Sequence, residues 1–156
     1  NNFLTKTGVR TFEAAAFLRR CGADVTRVRK MFREHVEDYR AKGEAIRNAE
    51  LFREHFAISV CPSEGLDSPT VVGAQAANEL LNIIGVKASF VLTDYRNTIY
   101  ISARSIDEIN VQIVMERLGG GGHLNIAGAQ LEHYSITEAK DVLKQTLQKM
   151  LDEGDI

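Results

Sequence analysis

The sequence predicts an α/β fold, a small domain on a mixed sheet of about four strands flanked by helices and preceded by a helical linker segment. Two observations point there. Through the first third of the chain, apolar residues recur at three- and four-residue steps; from residue 56 short β-branched runs alternate with helical patterns, punctuated by Pro62, Ser68-Pro69, Gly85 and Gly119. At 156 residues, 44% hydrophobic and 26% charged, the chain has the size of one globular domain or one and a half.

Thr11 is placed to cap a first helix on which Phe12, Ala15, Ala16 and Leu18 lean to one side, and Cys21-Gly22 ends it. One long helix is predicted next, with Val25, Val28, Phe32, Val36, Tyr39, Gly43 and Ile46 in a single stripe and charged residues on the other faces. So narrow a stripe suits a helix that bridges two domains, the favoured reading, or a coiled-coil dimer seam. Gly43 is a point at which it can bend.

Phe56 to Cys61 reads as a strand bounded by Pro62. Ser68-Pro69 opens a helix whose Gly73, Ala74, Ala76 and Ala77 let it lie close to a sheet, and Gly85 closes that segment. Val86, Ala88, Phe90 and Leu92 alternate with polar residues, Asp94 to Asn97 turn, and Thr98 to Ala103 run back as the second strand of a hairpin. Asn110 is placed to cap a helix carrying Val111, Val114, Met115 and Leu118, which Gly119 stops. A last strand near Ala129 to His133 leads to Ser135 and Glu138, at capping-box spacing before a terminal amphipathic helix.

Composition excludes several classes. With 19 Lys+Arg against 21 Asp+Glu and a net charge of −2, no global basic field exists to grip a long nucleic acid. Two cysteines, Cys21 and Cys61, are too few for a disulfide framework or a four-cysteine zinc site. No apolar run approaches a membrane span. The chain opens Asn1-Asn2-Phe3 without an initiator Met, so a cut piece of a longer protein is expected.

The chemistry concentrates at Gly119-Gly120-Gly121-Gly122-His123, where four of the chain's 12 glycines stand together. Residues without side chains can aim successive N–H groups at one anion and let a ligand touch backbone. Such a nest is expected at Gly120, Gly121 and Gly122, the alternative being a flexible helix stop. His123 beside it can donate to a phosphate oxygen or hold a base. Arg104 and Ser105, ending the hairpin, would add a forked donor and a second contact if their strand neighbours the loop. Asn110 can serve as helix cap and ligand contact together. Glu34, His35, Glu37 and Asp38 lack zinc-protease spacing, and no nucleophile elbow, Walker loop or Cys-x-x-Cys occurs.

Arg104-Ser105, Asn110-Val111 and the segment from Gly119 to Gly128 together resemble the DHHA1 domain, the substrate-binding half of DHH phosphoesterases. The longer wording, Ile101 to Ser105, Ile109 to Gln112 and Met115 to Leu124, resembles the GdpP (YybT)-type branch, which hydrolyses cyclic di-AMP. Asn1-Asn2-Phe3, Thr7-Gly8 and Arg10 to Ala15 resemble the tail of a DHH domain. Where the family's glycine motif ends in paired alanines, this chain has Asn125-Ile126-Ala127-Gly128-Ala129.

The resemblance implies residues 1–54 as DHH tail and interdomain linker helix, the latter acting as a hinge, and residues 55–156 as the DHHA1 domain. It implies a phosphodiesterase converting cyclic di-AMP to linear pApA, with Mn2+ bound by residues upstream of this chain. Arg104, Ser105, Asn110, Gly120, Gly121, Gly122 and His123 would bind substrate, and no catalytic or metal-ligating residue would lie in this piece. Expected partners are cyclic di-AMP or a short oligonucleotide and the missing DHH domain, with a homodimer left open. A cytoplasmic domain of a membrane-anchored protein is implied. A nanoRNase or RecJ-like exonuclease, or a non-catalytic nucleic-acid-binding module like that of alanyl-tRNA synthetases, are the alternatives.

Overall fold

The structure, a computed structural model, describes residues 7–106 and 108–156. The Asn1-Asn2-Phe3 opening lies outside them. The chain divides into two compact units, Asn1–His35 and Val36–Ile156. Residues 36–54, grouped with the linker in the sequence expectation, therefore cluster with the second unit.

The first unit contains α1 (Val9–Arg20) and α2 (Val25–Met31), neither with a buried residue. Gly8, not Thr11, occupies the N-cap of α1, because the Thr11 amide already donates to the Gly8 carbonyl at 3.0 Å, inside the first turn. Asp24 caps α2, its carboxylate accepting from the Thr26 and Arg27 amides at 2.9 and 3.3 Å.

The single long helix is not formed. α2 ends at Met31 and α3 (Val36–Arg47) begins after four intervening residues. Two physical reasons combine. Val25, Val28, Phe32 and Val36 stay 45–79% exposed, so no packing supports a continuous stripe. Arg29 and Lys30 suit a helix C-terminus and Glu37 and Asp38 an N-terminus, so the charge order favours a break between them. Gly43, the expected bend, lies inside the unbroken α3.

After α3 come β1 (Glu50–Phe52), β2 (Phe56–Cys61), α4 (Pro69–Leu80), β3 (Ala88–Tyr95), β4 (Thr98–Ser105), α5 (Val111–Arg117), β5 (Gly121–His123), β6 (Ile126–Glu132) and α6 (Ile136–Glu153). The sheet order is β1-β2-β3-β4-β6-β5, with β2 and β3 parallel and every other neighbouring pair antiparallel. The mixed sheet thus has six strands rather than about four, because the three-residue β1 and β5 were too short to show periodicity. The β3–β4 turn is Arg96-Asn97 alone, both at positive φ as a two-residue hairpin of this hand requires.

The two sheet faces are covered unequally. On one, Phe56, Phe90, Leu92, Ile99 and Ile101 pack with Val114 and Met115 of α5 and Leu143, Leu147 and Met150 of α6. α6 is fixed at its start by the expected capping box of Ser135 and Glu138, and at its end by Gly154 at φ 74°. On the other face, α3 and α4 bury Ala41, Ala45, Val72, Ala76, Ala77 and Leu80 against Ala57, Cys61 and Val91 of β2 and β3. There β2 and β3 also carry buried polar groups. Ser89 and Ser59 are buried and donate to the Ala77 and Ala45 carbonyls at 2.6 and 2.5 Å, stitching strand to helix. Pro69 starts α4 as expected, although Ser68 makes no side-chain cap bond.

A Cβ on Gly73 would run into Thr93 Oγ1, while one on Gly43 would meet open space. Gly73→Ala is therefore expected to cost about 1–3 kcal/mol in urea unfolding, and Gly43→Ala to gain up to about 1 kcal/mol. Burial, helped by Glu44, pushes the Cys61 thiol up to about 11, whereas Cys21 is exposed. One thiol should react with a disulfide reagent at pH 8 in the native protein and both after denaturation.

Candidate functional site

α4 lies over β3 and reaches β4, so on that side of the sheet the outward residues of β4 are half-buried while β6 and β5 carry exposed positions. Along β4, Ile99, Ile101, Ala103 and Ser105 are buried, while Thr98, Tyr100, Ser102 and Arg104 are half-buried on the opposite face. Register then fixes what lies beside them. Arg104 is opposite Ile126, which is opposite His123; Ser102 is opposite Gly128, which is opposite Gly121; Tyr100 is opposite Gln130. Three rows thus cross the open face, with Arg104 and His123 two strand spacings apart, about 10 Å.

Arg104 lies along the sheet. Its Nη1 donates to the Ala103 carbonyl at 2.8 Å and reaches the Ala127 carbonyl at 3.5 Å. Its Nε is buried without a partner among the described residues. Burial pushes the guanidinium below its ordinary pKa, yet arginine stays cationic at any working pH. An orphaned, charged donor costs about 1–3 kcal/mol unless something accepts from it. His123 is exposed at the end of β5.

The glycine run does not form the expected nest of successive free amides. The Gly119 and Gly120 amides donate to the Glu116 and Met115 carbonyls at 3.0 and 2.8 Å, a Schellman stop of α5 with Gly119 at φ 77°. Gly121 and Gly122 then enter β5 and pair with Gly128 and Ala127. The glycines serve close approach instead. A Cβ on Gly120 would lie 2.6 Å from Ala129 Cα, and one on Gly122 2.5 Å from Ala127 Cα, whereas Gly121 faces open space. What remains exposed is bare backbone at Gly121 and Gly128 and the free edge of β5.

Ser105 and Asn110 stand apart from the open face. Ser105 is 6% exposed; its hydroxyl donates to the Leu124 carbonyl at 3.4 Å and its amide to the Asn125 carbonyl at 3.1 Å. It holds the β5–β6 turn that carries His123. The Asn110 carboxamide oxygen accepts from the Gln112 amide at 3.1 Å, the cap expected of it.

Over the middle row opens a cleft of about 480 Å³ lined by Thr70 at the start of α4, Tyr100, Ser102, Gly119 to Gly121, Gly128 and Gln130. Tyr100, Ser102 and Gln130 were not given a role from sequence, and Gly128 was noted only as part of the glycine segment. The period-two alternation places Tyr100, Ser102 and Arg104 on one face, but only the extent of α4 reveals that this face is open.

Residues 55–150 match the DHHA1 domain. The chain belongs to the DHHA1 domain family. It is 41% identical over 143 residues to the cyclic-di-AMP phosphodiesterase PdeA of Listeria monocytogenes, covering 91% of this chain and 22% of the relative. It is also 41% identical over 155 residues to the cyclic-di-AMP phosphodiesterase GdpP of Bacillus subtilis, covering 98% of this chain and 24% of the relative. The chain thus spans about a quarter of the length of these curated relatives. Among solved structures, an exopolyphosphatase-related protein from Bacteroides fragilis superimposes with a TM-score of 0.81 at 22% identity, over 95% of this chain and 45% of that one. That likeness concerns the fold.

Within this DHHA1 domain, no three His, Cys, Asp or Glu side chains gather among the described residues. What the DHHA1 face does offer is a cation, an imidazole and approachable backbone, a donor set for phosphate oxygens.

The two kinds of glycine separate experimentally. Gly120→Ala is expected to destabilise the DHHA1 domain by about 2–3 kcal/mol in chemical unfolding, through steric conflict with β6. Gly121→Ala should stay within about 0.5 kcal/mol of wild type.

Proposed function

We propose that this chain is the nucleotide-binding part of a metal-dependent phosphodiesterase that opens cyclic di-AMP to linear pApA. The observation that carries the reading is the set of three rows on one partly uncovered sheet face, with Arg104 and His123 flanking a floor of glycine backbone. The names of the relatives at about 40% identity support the substrate class.

Arg104 swings its fork from the strand carbonyls to two non-bridging phosphate oxygens, giving its buried Nε an acceptor. His123 donates from the far side. Gly121 and Gly128 let the ribose-phosphate lie against backbone, which a side chain at either position would hinder. Gly120 and Gly122 keep β5 close to β6, Ser105 fixes the turn beneath His123, and Asn110 fixes the start of α5; these four act through positioning. The open nucleotide face would meet a DHH domain outside this chain that carries the Mn2+ ligands, and the chain's role is to hold the phosphodiester toward it. No described helix is long and apolar enough to cross a membrane. Membrane anchoring, if the protein resembles GdpP in this respect, would reside outside this chain.

Titration calorimetry of this chain with pApA tests the reading. Arg104→Ala and His123→Ala should each weaken binding at least about tenfold, since each removes a charge-assisted contact, with the unfolding midpoint unchanged for His123→Ala and not lowered for Arg104→Ala, which also removes the orphaned donor. Manganese-dependent hydrolysis by this chain alone would contradict placing the metal ligands elsewhere.

A further inference from the structure

The mechanism above uses two of the three rows and leaves the third, Tyr100 and Gln130, unassigned. These two residues are directly opposite on β4 and β6. Cross-strand partners of this kind hold their Cβ atoms about 5 Å apart, so ring and carboxamide share one surface. Both line the cleft whose floor is the glycine row. Tyr100 has an aromatic neighbour on the same face: its ring centroid lies 6.5 Å from that of Tyr95, and the Arg96 guanidinium sits 4.9 Å from the Tyr95 centroid. The Gln130 side chain is exposed and makes no hydrogen bond among the described residues. From the Ser102 row to the Tyr100 row is two residues along β4, about 7 Å, comparable to the reach from phosphate to base within one nucleotide.

We propose that Tyr100 and Gln130 form a base-reading subsite that selects adenine over guanine, Tyr100 by stacking and Gln130 by a paired hydrogen bond. The proposal rests on the nucleotide-binding reading above. A carboxamide offers one acceptor beside one donor. Adenine presents the complement, its N6 amino group as donor beside N7 as acceptor, whereas guanine presents two acceptors, O6 and N7, on the same edge. Guanine therefore leaves the carboxamide oxygen facing another acceptor, and discrimination comes from that mismatch. Tyr100 contributes to both purines alike, because every base has a stacking face.

Calorimetry with the linear dinucleotides pApA and pGpG, on the whole chain, reads both contributions. Wild type should prefer pApA about tenfold, the worth of one well-made pair of hydrogen bonds. Gln130→Ala should bring pApA down to the level of pGpG, and Gln130→Arg, which offers two donors, should reverse the preference. Tyr100→Ala should weaken both dinucleotides by about tenfold, with Tyr100→Phe near wild type. Equal binding of pApA and pGpG, unchanged by the Gln130 variants but weakened by Arg104→Ala, overturns the subsite while the nucleotide-binding reading stands. Binding of neither dinucleotide by wild type overturns both.

Discussion

Where β5 meets β6, the backbones approach too closely for a side chain at Gly120 or Gly122, since a Cβ at either would overlap Ala129 or Ala127. That contact starts from the helix stop at Gly119, which turns the chain out of α5 directly into β5. Because the chain turns there, the sheet gains two strands beyond β4, and His123 is delivered to the row that holds Arg104. Ser105 completes the arrangement from beneath, its amide and hydroxyl tying the end of β4 to the β5–β6 turn. Displacing β5 would therefore remove one flank of the candidate site, its floor and its edge together.

A partly uncovered sheet face is tolerable only if little apolar surface is left on it. α3 and α4 bury small residues against β2 and β3, and α4 reaches as far as β4. At that limit the outward positions of β4 are Thr98, Tyr100, Ser102 and Arg104, all half-buried, while the inward ones are Ile99, Ile101 and Ala103. The alternation that builds the core with α5 and α6 thus also builds a polar floor. Gly73 contributes to the same packing, because its lack of a side chain seats α4 tightly on β3.

Legibility in the sequence followed length and local chemistry. The helices with caps or stops readable as single residues, at Pro69, Asn110, Gly119 and the Ser135–Glu138 box, lie where those residues indicated. The β3–β4 hairpin was readable from its alternation. β1 and β5 were not, being three residues each and so too short to show alternation, although each pairs with the strand that follows it in the chain. The Val25-to-Ile46 stripe misled for the converse reason: periodicity was present, but nothing packs on the first half of it, and the change from basic to acidic residues between Lys30 and Glu37 was the better guide. For the site, the residue types were legible and the geometry was not. A run of four glycines suits a nest or a close strand contact equally well, and only the pairing of β5 with β6 distinguishes them.

Arg104 links this architecture to chemistry. Its stem is buried beside a strand whose carbonyls occupy one nitrogen of the fork, and its Nε has no partner among the described residues. Evolution could have satisfied that nitrogen with one carboxylate on β6, where Ile126 stands directly opposite. A carboxylate there would also have neutralised the row and repelled a phosphate. An apolar neighbour instead leaves the buried Nε without a partner among the described residues, a local cost of a few kcal/mol at most. In the nucleotide-binding reading proposed above, the stability given up in the free protein would return as binding when a phosphate oxygen fills the gap.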